Sequence, residues 1–257
     1  MEKLLLILAL ISPFSAAWAA DRFEDTAENL APQVETNRSA PNTKSTQGTW
    51  TYAFEVIAAD GSSKILSEQN RSVLVKPAST MKLFTSWFAF KNQFRDTTYL
   101  AKMLKESVNE MADATLKGMG GPKALKNWYA QQGLTLTPTD FIQVDGSGLS
   151  YDNKADCAIE MKLLKVIYAD PSYSEYKELL ARPGETGTLE KRLLDLQGVL
   201  FAKTGTLNRT AGLSGFVETK SGTMLFCILT DYLPSQSSGF RPKIDAMVLE
   251  NVKNLEL

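Results

Sequence analysis

Residues 77–82, Pro-Ala-Ser-Thr-Met-Lys, predict the start of a buried helix. Pro77 is typical of a first helical position. The helix continues with apolar residues that predict a core-facing side: Leu83, Phe84, Trp87 and Phe88. Ser79 and Lys82 are three positions apart and therefore lie on one face, one turn from each other. A lysine that is partly removed from water can have its pKa lowered enough to take the proton of a serine hydroxyl.

The composition excludes several kinds of site. The 257 residues include no histidine, which rules out Ser-His-Asp and Cys-His catalysis and every histidine-ligated zinc site. The chain has 28 Lys plus Arg against 29 Asp plus Glu, a net charge of -1. This balance gives no strong field for nucleic acid or an anionic membrane. A catalytic base in this chain must be lysine, a carboxylate or tyrosine.

Two cysteines are too few for a four-cysteine metal site or a disulfide scaffold. Cys227 lies in an apolar strand pattern and Cys157 at the start of a predicted helix. Their separation in sequence does not fix their distance in space. We expect two thiols rather than a disulfide, without a functional role.

The first 19 residues have the order of a secretory signal. Lys3 precedes an apolar run from Leu4 to Ile11, and Ala17-Trp18-Ala19 supplies small residues for cleavage. The run is too short to span a bilayer, and no later stretch is long and apolar enough. Residues 20–48 are polar and predict an exposed arm. These features predict export to the periplasm.

The remaining residues, 49–257, predict a single α+β domain. Strand patterns cover 50–56 and 65–67. Apolar residues then recur at three- and four-residue steps from Leu100 to Ala112, and helices are expected near 122–132 and around 161–168. Later strands are expected over 199–204, 213–218 and 224–230, before a final helix over 244–255. We expect one antiparallel sheet from about 49–78 and 195–257, with a helical lobe, about 79–194, inserted between its strands.

Two further motifs follow Ser79-Thr80-Met81-Lys82 in order. Ser107-Val108-Asn109 is the one Ser-x-Asn of the sequence, and Lys203-Thr204-Gly205-Thr206 is the one Lys-Thr-Gly. Each alone has a plain structural explanation: a helix N-cap at Ser79, a polar interruption of a helix, and a turn at a strand end. A second Ser-x-x-Lys, residues 174–177, lies in a polar helix and is interpreted as chance.

Together the three motifs resemble the serine penicillin-recognising enzymes. Pro-Ala-Ser-Thr-x-Lys combined with Asp145-Gly146-Ser147-Gly148-Leu149-Ser150 is similar to the D-alanyl-D-alanine carboxypeptidase/endopeptidase family, the low-molecular-mass class C penicillin-binding proteins. The resemblance covers roughly residues 50 to 250. It implies a β-lactamase/transpeptidase-like fold, peptidoglycan stem peptides and cross-links as substrates, and β-lactams as inhibitors. It implies no metal or organic cofactor.

The resemblance also implies a role for each matched residue. Ser79 would be the acylated nucleophile, Lys82 its base and Ser107 a proton carrier toward the leaving amine. Asn109 would orient substrate. Lys203, Thr204 and Thr206 would bind the carboxylate of the substrate, and Lys203 would also hold Ser107 in place. Gly205, which has no side chain, would let a ligand approach the strand. The backbone N–H groups of Ser79 and Thr206 would form the oxyanion hole, and residues 145–150 a loop beside the cleft without direct chemistry.

The sequence departs from the family in two places. Only 24 residues separate Lys82 from Ser107, an interval in which typical members carry two extra domains. Without those domains to cover the cleft, cross-linked stem peptides could enter as well as linear ones. We therefore predict DD-endopeptidase activity in addition to DD-carboxypeptidase activity. Tyr151 also stands where the family often has arginine. The alternatives are a β-lactamase, which lacks support because no Glu-x-x-Leu-Asn pattern follows Ser-x-Asn, and a non-catalytic muropeptide or β-lactam sensor.

Overall fold

The computed structural model describes residues 48–92, 96–253, 255 and 257. The predicted signal, residues 1–19, and the predicted arm up to residue 47 lie outside the described residues. The described residues all belong to one compact unit.

A five-stranded antiparallel sheet forms the centre of the molecule. Its strands are β1 (Thr49–Ile57), β2 (Ser63–Gln69), β5 (Leu200–Leu207), β6 (Thr210–Thr219) and β7 (Gly222–Asp231). The order across the sheet is β2-β1-β7-β6-β5, so the earliest strand pairs with the latest one. A separate two-stranded ribbon joins β3 (Phe141–Ile142) and β4 (Lys154–Ala155).

Seven helices surround the sheet in the described part of the chain. They are α1 (Lys82–Lys91), α2 (Thr97–Lys105), α3 (Asn109–Gly118), α4 (Gly121–Gln131), α5 (Cys157–Ala169), α6 (Tyr173–Lys177) and α7 (Arg241–Val252). None of the helices within the described ranges has the length and apolar character needed to span a bilayer.

Alternation along the strands divides the core into two layers. On β7, Phe226 and Ile228 face α7, whereas Leu225 and Leu229 face the helical lobe. The side against α7 is closed by Ile244, Val248 and Val252, which recur at helical spacing. The predicted α+β, β-lactamase/transpeptidase-like architecture with an antiparallel sheet, flanking helices and a helical lobe is confirmed.

The periodic segment from Leu100 to Ala112 is two helices rather than one. α2 ends at Lys105 and α3 begins at Asn109. Between them Ser107 has a φ of +62°, a left-handed conformation that a continuing helix does not allow. The spacing alone does not reveal this break because the apolar residues keep their three- and four-residue intervals across it. The break carries Ser107 out of the helix and toward the sheet.

The expectation of two free thiols is wrong. Cys157, the first residue of α5, and Cys227 on β7 form a disulfide with their Cα atoms 5.6 Å apart. α5 packs directly on β7 in the interior, and both cysteines are fully buried. The bond closes a loop of 70 residues and joins the helical lobe to the middle of the sheet.

Candidate active site

The Pro-Ala-Ser-Thr-Met-Lys stretch forms a tight turn that leads into α1. A 3₁₀ turn covers Ala78–Met81, and the α-helix begins at Lys82. Ala78 has a φ of +52°, which is unusual for a residue with a side chain and marks local backbone strain. Ser79 is half-buried, and the residues on both sides of it are buried. The turn therefore presents one hydroxyl at the surface of a packed layer.

Two glycines let other segments press against this turn. A Cβ on Gly205 of β5 would lie 2.8 Å from the Pro77 carbonyl oxygen, and one on Gly148 only 1.8 Å from the Ala78 carbonyl oxygen. The sequence suggested that Gly205 leaves room for a ligand. The structure gives it a second reason, because only a glycine lets β5 pack against the turn that carries Ser79.

Lys82 lies at the centre of the site and makes three contacts. Its Nζ donates to Ser79 Oγ at 3.0 Å, to Asn109 Oδ1 at 2.7 Å and to the Ser147 carbonyl at 2.8 Å. Three acceptors match the three protons of an ammonium group. When the group loses one proton, two N–H groups remain for Asn109 and Ser147, and its lone pair faces the Ser79 hydroxyl. The geometry thus prepares the amine to take the serine proton.

Burial tunes Lys82 for this exchange. The side chain has no exposed surface, and no ion pair to it is found among the described residues. Removal from water lowers the pKa of Lys82 to about 8, against the smaller opposing effect of nearby carboxylates, Asp113 first. A substantial neutral fraction is therefore present near neutral pH, as a general base requires.

The break between α2 and α3 brings the Ser-x-Asn motif to the same place. Asn109 is the first residue of α3, and its side chain reaches Lys82 as described above. Ser107 Oγ accepts a hydrogen bond from Lys203 Nζ at 2.8 Å. The three predicted motifs are therefore connected by hydrogen bonds: Ser79 to Lys82, Lys82 to Asn109, and Ser107 to Lys203.

Lys203 projects from β5 toward the helical lobe. Its Nζ also donates to the carbonyl of Thr204 at 2.8 Å, and the side chain is fully buried. Burial, with the nearby positive charge of Lys82, lowers the pKa of Lys203 well below its usual value. Both effects favour the neutral amine, and a nearby anion would act in the opposite direction.

β5 is an edge strand whose outer side is open at the site. The N–H and C=O of Ala202 pair with Ala181, so the main chain at this position points away from β6. The same groups of Thr204 and Thr206 point outward by the two-residue period of a strand. The Thr206 side chain is on the opposite face from Lys203, where its Oγ1 lies 3.4 Å from Arg241 Nη2.

The sequence did not identify two contributors to this site. The Ser147 carbonyl holds the Lys82 amine, although residues 145–150 were expected to lack direct chemistry. The loop is fixed by Asp145, which accepts from the backbone N–H groups of Gly148 at 2.7 Å and Ser150 at 2.6 Å. Arg241, at the start of α7, belongs to no motif. A carbonyl carries no sequence signal, and an isolated surface arginine carries a weak one.

Tyr151 is exposed at the end of this loop. Lys76 Nζ lies 5.0 Å from the centre of its ring and 4.8 Å from that of Tyr232, and also forms an ion pair with buried Asp231 at 2.8 Å. At the position where the family often has arginine, Tyr151 therefore makes a cation–π contact with Lys76.

The fold and the Ser–Lys pair place the chain among the β-lactamase/transpeptidase-like proteins. A class A β-lactamase from Bacteroides cellulosilyticus superposes with a TM-score of 0.63 over 81% of this chain and 92% of its own, at 15% identity, which shows the fold alone. A predatory peptidoglycan endopeptidase from Bdellovibrio bacteriovorus superposes with a TM-score of 0.51 over 63% of this chain and 44% of its own, at 25% identity.

The sequence profile of the D-Ala-D-Ala carboxypeptidase 3 (S13) family matches residues 96–251, more than half of the chain. The chain belongs to this family, which confirms the expected resemblance. The matched range includes Ser107, Asn109 and residues 203–206, and begins after Lys82.

The curated relatives are much longer proteins. Carboxypeptidase DacB of Mycolicibacterium smegmatis is 31% identical over 170 residues, which are 58% of this chain and 35% of the relative. The D-alanyl-D-alanine carboxypeptidase of an Actinomadura strain is 28% identical over 51% of this chain and 28% of its own length. The chain thus matches about a third or less of each of these relatives.

Proposed function

We propose that this protein is a serine-type D-alanyl-D-alanine carboxypeptidase and DD-endopeptidase that acts on peptidoglycan through an acyl-enzyme on Ser79. The observation that carries the proposal is the contact of 3.0 Å between Lys82 Nζ and Ser79 Oγ, made by a buried amine whose pKa is lowered. Family membership supplies the substrate class, because the family is named for D-Ala-D-Ala carboxypeptidase activity.

Acylation uses the Ser79–Lys82 pair. The neutral amine of Lys82 takes the hydroxyl proton as Ser79 Oγ attacks the carbonyl carbon of the penultimate D-alanine. The negative charge that develops on the carbonyl oxygen is stabilised by the backbone N–H groups of Ser79 and Thr206. The open edge of β5 supports this assignment because it directs the Thr206 N–H away from the sheet.

Departure of the leaving group uses the Ser107–Lys203 pair. As the bond between the carbonyl carbon and the amine nitrogen breaks, Ser107 gives its hydroxyl proton to the departing amine. Ser107 takes a replacement proton from the Lys203 ammonium, which donates to Ser107 Oγ. Asn109 presents its amide N–H groups to the substrate while its oxygen holds Lys82. The acyl-enzyme is then hydrolysed when water replaces the amine and the same groups act in reverse.

The carboxylate of the substrate lies along the open edge of β5. Lys203 reaches this edge from one face, and Thr204 and Thr206 reach it from the other. An approaching carboxylate favours the protonated form of Lys203 and so opposes the effect of burial on its pKa. Arg241 beside the Thr206 hydroxyl adds a permanent positive charge at the rim.

The endopeptidase activity follows from the short interval between Lys82 and Ser107. Apart from residues 93–95, the described chain in this interval consists of the rest of α1, its connection and α2. This interval is too short for an inserted domain, so we expect a cleft that can admit a branched, cross-linked peptide. The similarity at 25% identity to a protein described as a peptidoglycan endopeptidase supports the same activity.

The site of action we propose is the periplasm, reached by export with residues 1–19 as the signal. The Cys157–Cys227 disulfide supports this location because such bonds persist in oxidising compartments. Amino-terminal sequencing of the protein recovered from a periplasmic extract tests it, and a start at Ala20 is expected.

Digestion of purified sacculi, with separation of the muropeptides, tests the function. Loss of cross-linked dimers with gain of monomers shows endopeptidase activity, and conversion of pentapeptides to tetrapeptides shows carboxypeptidase activity. Ser79→Ala must abolish both. Intact-mass measurement after addition of penicillin separates the alternatives: a long-lived adduct agrees with the proposal, rapid turnover of the drug indicates a β-lactamase, and an adduct without peptide hydrolysis indicates a sensor.

A further inference from the structure

A buried carboxyl group that takes no part in the chemistry above lies directly beneath the nucleophile. Glu160, in the first turn of α5, has no exposed surface. Its Oε1 lies 2.6 Å from Thr80 Oγ1, and its Oε2 lies 2.6 Å from Ser214 Oγ. Among the ion pairs of the described residues, none includes Glu160. A charge here would be buried without a counterion, which is costly.

Counting the protons of this network shows which form of Glu160 fits. Thr80 Oγ1 lies within hydrogen-bond distance of two acceptors, Glu160 Oε1 and the Pro77 carbonyl oxygen at 2.9 Å. A hydroxyl has one proton and cannot donate to both. If Glu160 is protonated on Oε1, it donates to Thr80, and Thr80 donates to Pro77. If Glu160 is ionised, Thr80 must turn its proton toward Glu160, and Pro77 loses that donor.

The surroundings favour the protonated form. Burial raises the pKa of Glu160 to about 7, against the opposing effect of the hydroxyls of Ser214 and Thr80. The elements packed against it present neutral groups: Thr80 from the turn, Ser214 from β6 and the disulfide sulfur of Cys227 from β7, 3.5 Å from Oε2. Asp156, the residue that caps the start of α5, raises the pKa of Glu160 further.

Pro77 connects this hydrogen-bond network to the turn that carries Ser79. Pro77 begins the turn on which Ala78 has a positive φ and Ser79 carries the nucleophile. The only other described donor to the Pro77 carbonyl is the Thr80 N–H at 3.4 Å, which is long for a hydrogen bond. Of the two donors to the Pro77 carbonyl, the Thr80 hydroxyl therefore makes the stronger hydrogen bond and does more to hold the strained turn.

We propose that Glu160 is a positioning residue that works as a neutral carboxylic acid: it donates its proton to Thr80, and the Thr80 proton then holds the turn that aims Ser79 at the substrate. This role rests on the proposed function of Ser79. When Glu160 ionises, the Thr80 hydroxyl donates to Glu160 instead of to the Pro77 carbonyl, and the turn loses that hydrogen bond. Ser79 is then less well oriented toward the substrate, while the protein stays folded.

The test compares the rate of Ser79 acylation by a fluorescent penicillin in the wild-type protein and in Glu160→Gln, from about pH 5 to about pH 9. The amide donates to Thr80 and accepts from Ser214 as the neutral acid does, but it cannot ionise. The ratio of the variant rate to the wild-type rate should be near one in acid and rise several-fold above neutral pH. Because Lys82 titrates in both proteins, its effect on the acylation rate cancels from the ratio.

A ratio that stays constant across this range overturns the inference, because a merely structural role of Glu160 does not depend on pH. Absence of acylation in the wild-type protein at every pH overturns the proposed function instead. If Glu160→Gln fails to fold, Thr80→Val provides the second test. It breaks the connection between Glu160 and Pro77, so its rate relative to wild type should be lowest in acid and approach one above neutral pH; a constant relative rate contradicts the inference.

Discussion

Two turns of this chain share the spacing Ser-x-x-Lys and differ in everything around it. Ser79 and Lys82 lie at a buried turn, where the amine contacts the serine, an amide oxygen and a carbonyl. Ser174 is exposed on the short helix α6, and Lys177 donates to Glu218 Oε1 at 2.5 Å. Lys177 also lies over the ring of Phe201, 4.6 Å from its centre.

The difference shows that spacing brings the two side chains to one face, and environment decides what they do. Lys177 forms an ion pair with Glu218 and packs over the Phe201 ring, so its contacts are those of a structural cation. Lys82 has hydrogen-bond acceptors but no carboxylate in contact, and it is buried. The lead Pro-Ala and the apolar residues after Lys82 were the sequence signals of that burial.

Replacing the two serines should give the largest contrast. Ser79→Ala removes the only atom that can be acylated in the proposed mechanism, so no penicillin adduct should form. Ser174→Ala, the matched control, should label like the wild-type protein. Intact-mass spectrometry after mixing with penicillin measures both. An adduct that persists in Ser79→Ala would place the nucleophile elsewhere.

Replacing the two lysines should give the next largest contrast. Lys82→Ala deletes the base, and the acylation rate should fall roughly 10²–10⁴-fold, the range for loss of a general base. Lys177→Ala should leave the rate near that of the wild type. Stopped-flow measurement with a fluorescent penicillin gives both rates. Near-normal acylation by Lys82→Ala would mean that another group takes the Ser79 proton.

The disulfide joins β7 to α5, the helix whose Glu160 contacts Thr80 in the first turn, whereas residues 174–177 include no cysteine. The double substitution Cys157→Ser and Cys227→Ser should lower the free energy of unfolding by about 2–5 kcal/mol, as is typical when a native disulfide is removed. Acylation per folded molecule should be retained. Urea denaturation and active-site titration measure the two quantities. A folded variant without acylation would give the disulfide a catalytic role.

The pH dependence of acylation should distinguish the environment of Lys82. The neutral amine is the reactive form, and it increases as pH rises toward its pKa of about 8. The rate should therefore rise about tenfold per pH unit below that value and level off above it. Glu160→Gln is the suitable background because the carboxyl below the turn then no longer titrates. A rate independent of pH in this region would exclude Lys82 as the base.

The smallest effect is expected at Lys177. Both partners of its pair with Glu218 are partly exposed, with 15% and 35% of their side chains accessible. Lys177→Ala should therefore lower the free energy of unfolding by at most about 1 kcal/mol. A double-mutant cycle with Glu218→Ala isolates the pair. A much larger coupling would show that this second Ser-x-x-Lys has a structural function of its own.

The sequence predicted which residues meet at the candidate site better than it predicted the connections between them. Ser79 and Lys82 are close because helical spacing places them so, and residues 203–206 follow from strand alternation. The left-handed Ser107, the carbonyl of Ser147 and the Cys157–Cys227 bond depend on how distant segments pack, which no local pattern encodes. Glu160 was missed for the same reason. In sequence it is one acidic residue in a helix, and only the tertiary fold places it below Ser79.

The pairing of β1 with β7 makes the formation of the proposed site depend on the last strand of the sheet. Chain synthesis makes β1 first, and its partner strand β7 begins at Gly222. Until β7 is present, one edge of the β1–β2 hairpin stays unpaired. Likewise, β5 cannot yet join a complete sheet and pack against the turn that carries Ser79. Contacts so distant in sequence form slowly. We expect the site around Ser79 to be assembled in one late step, so that an unfinished chain would lack the proposed activity.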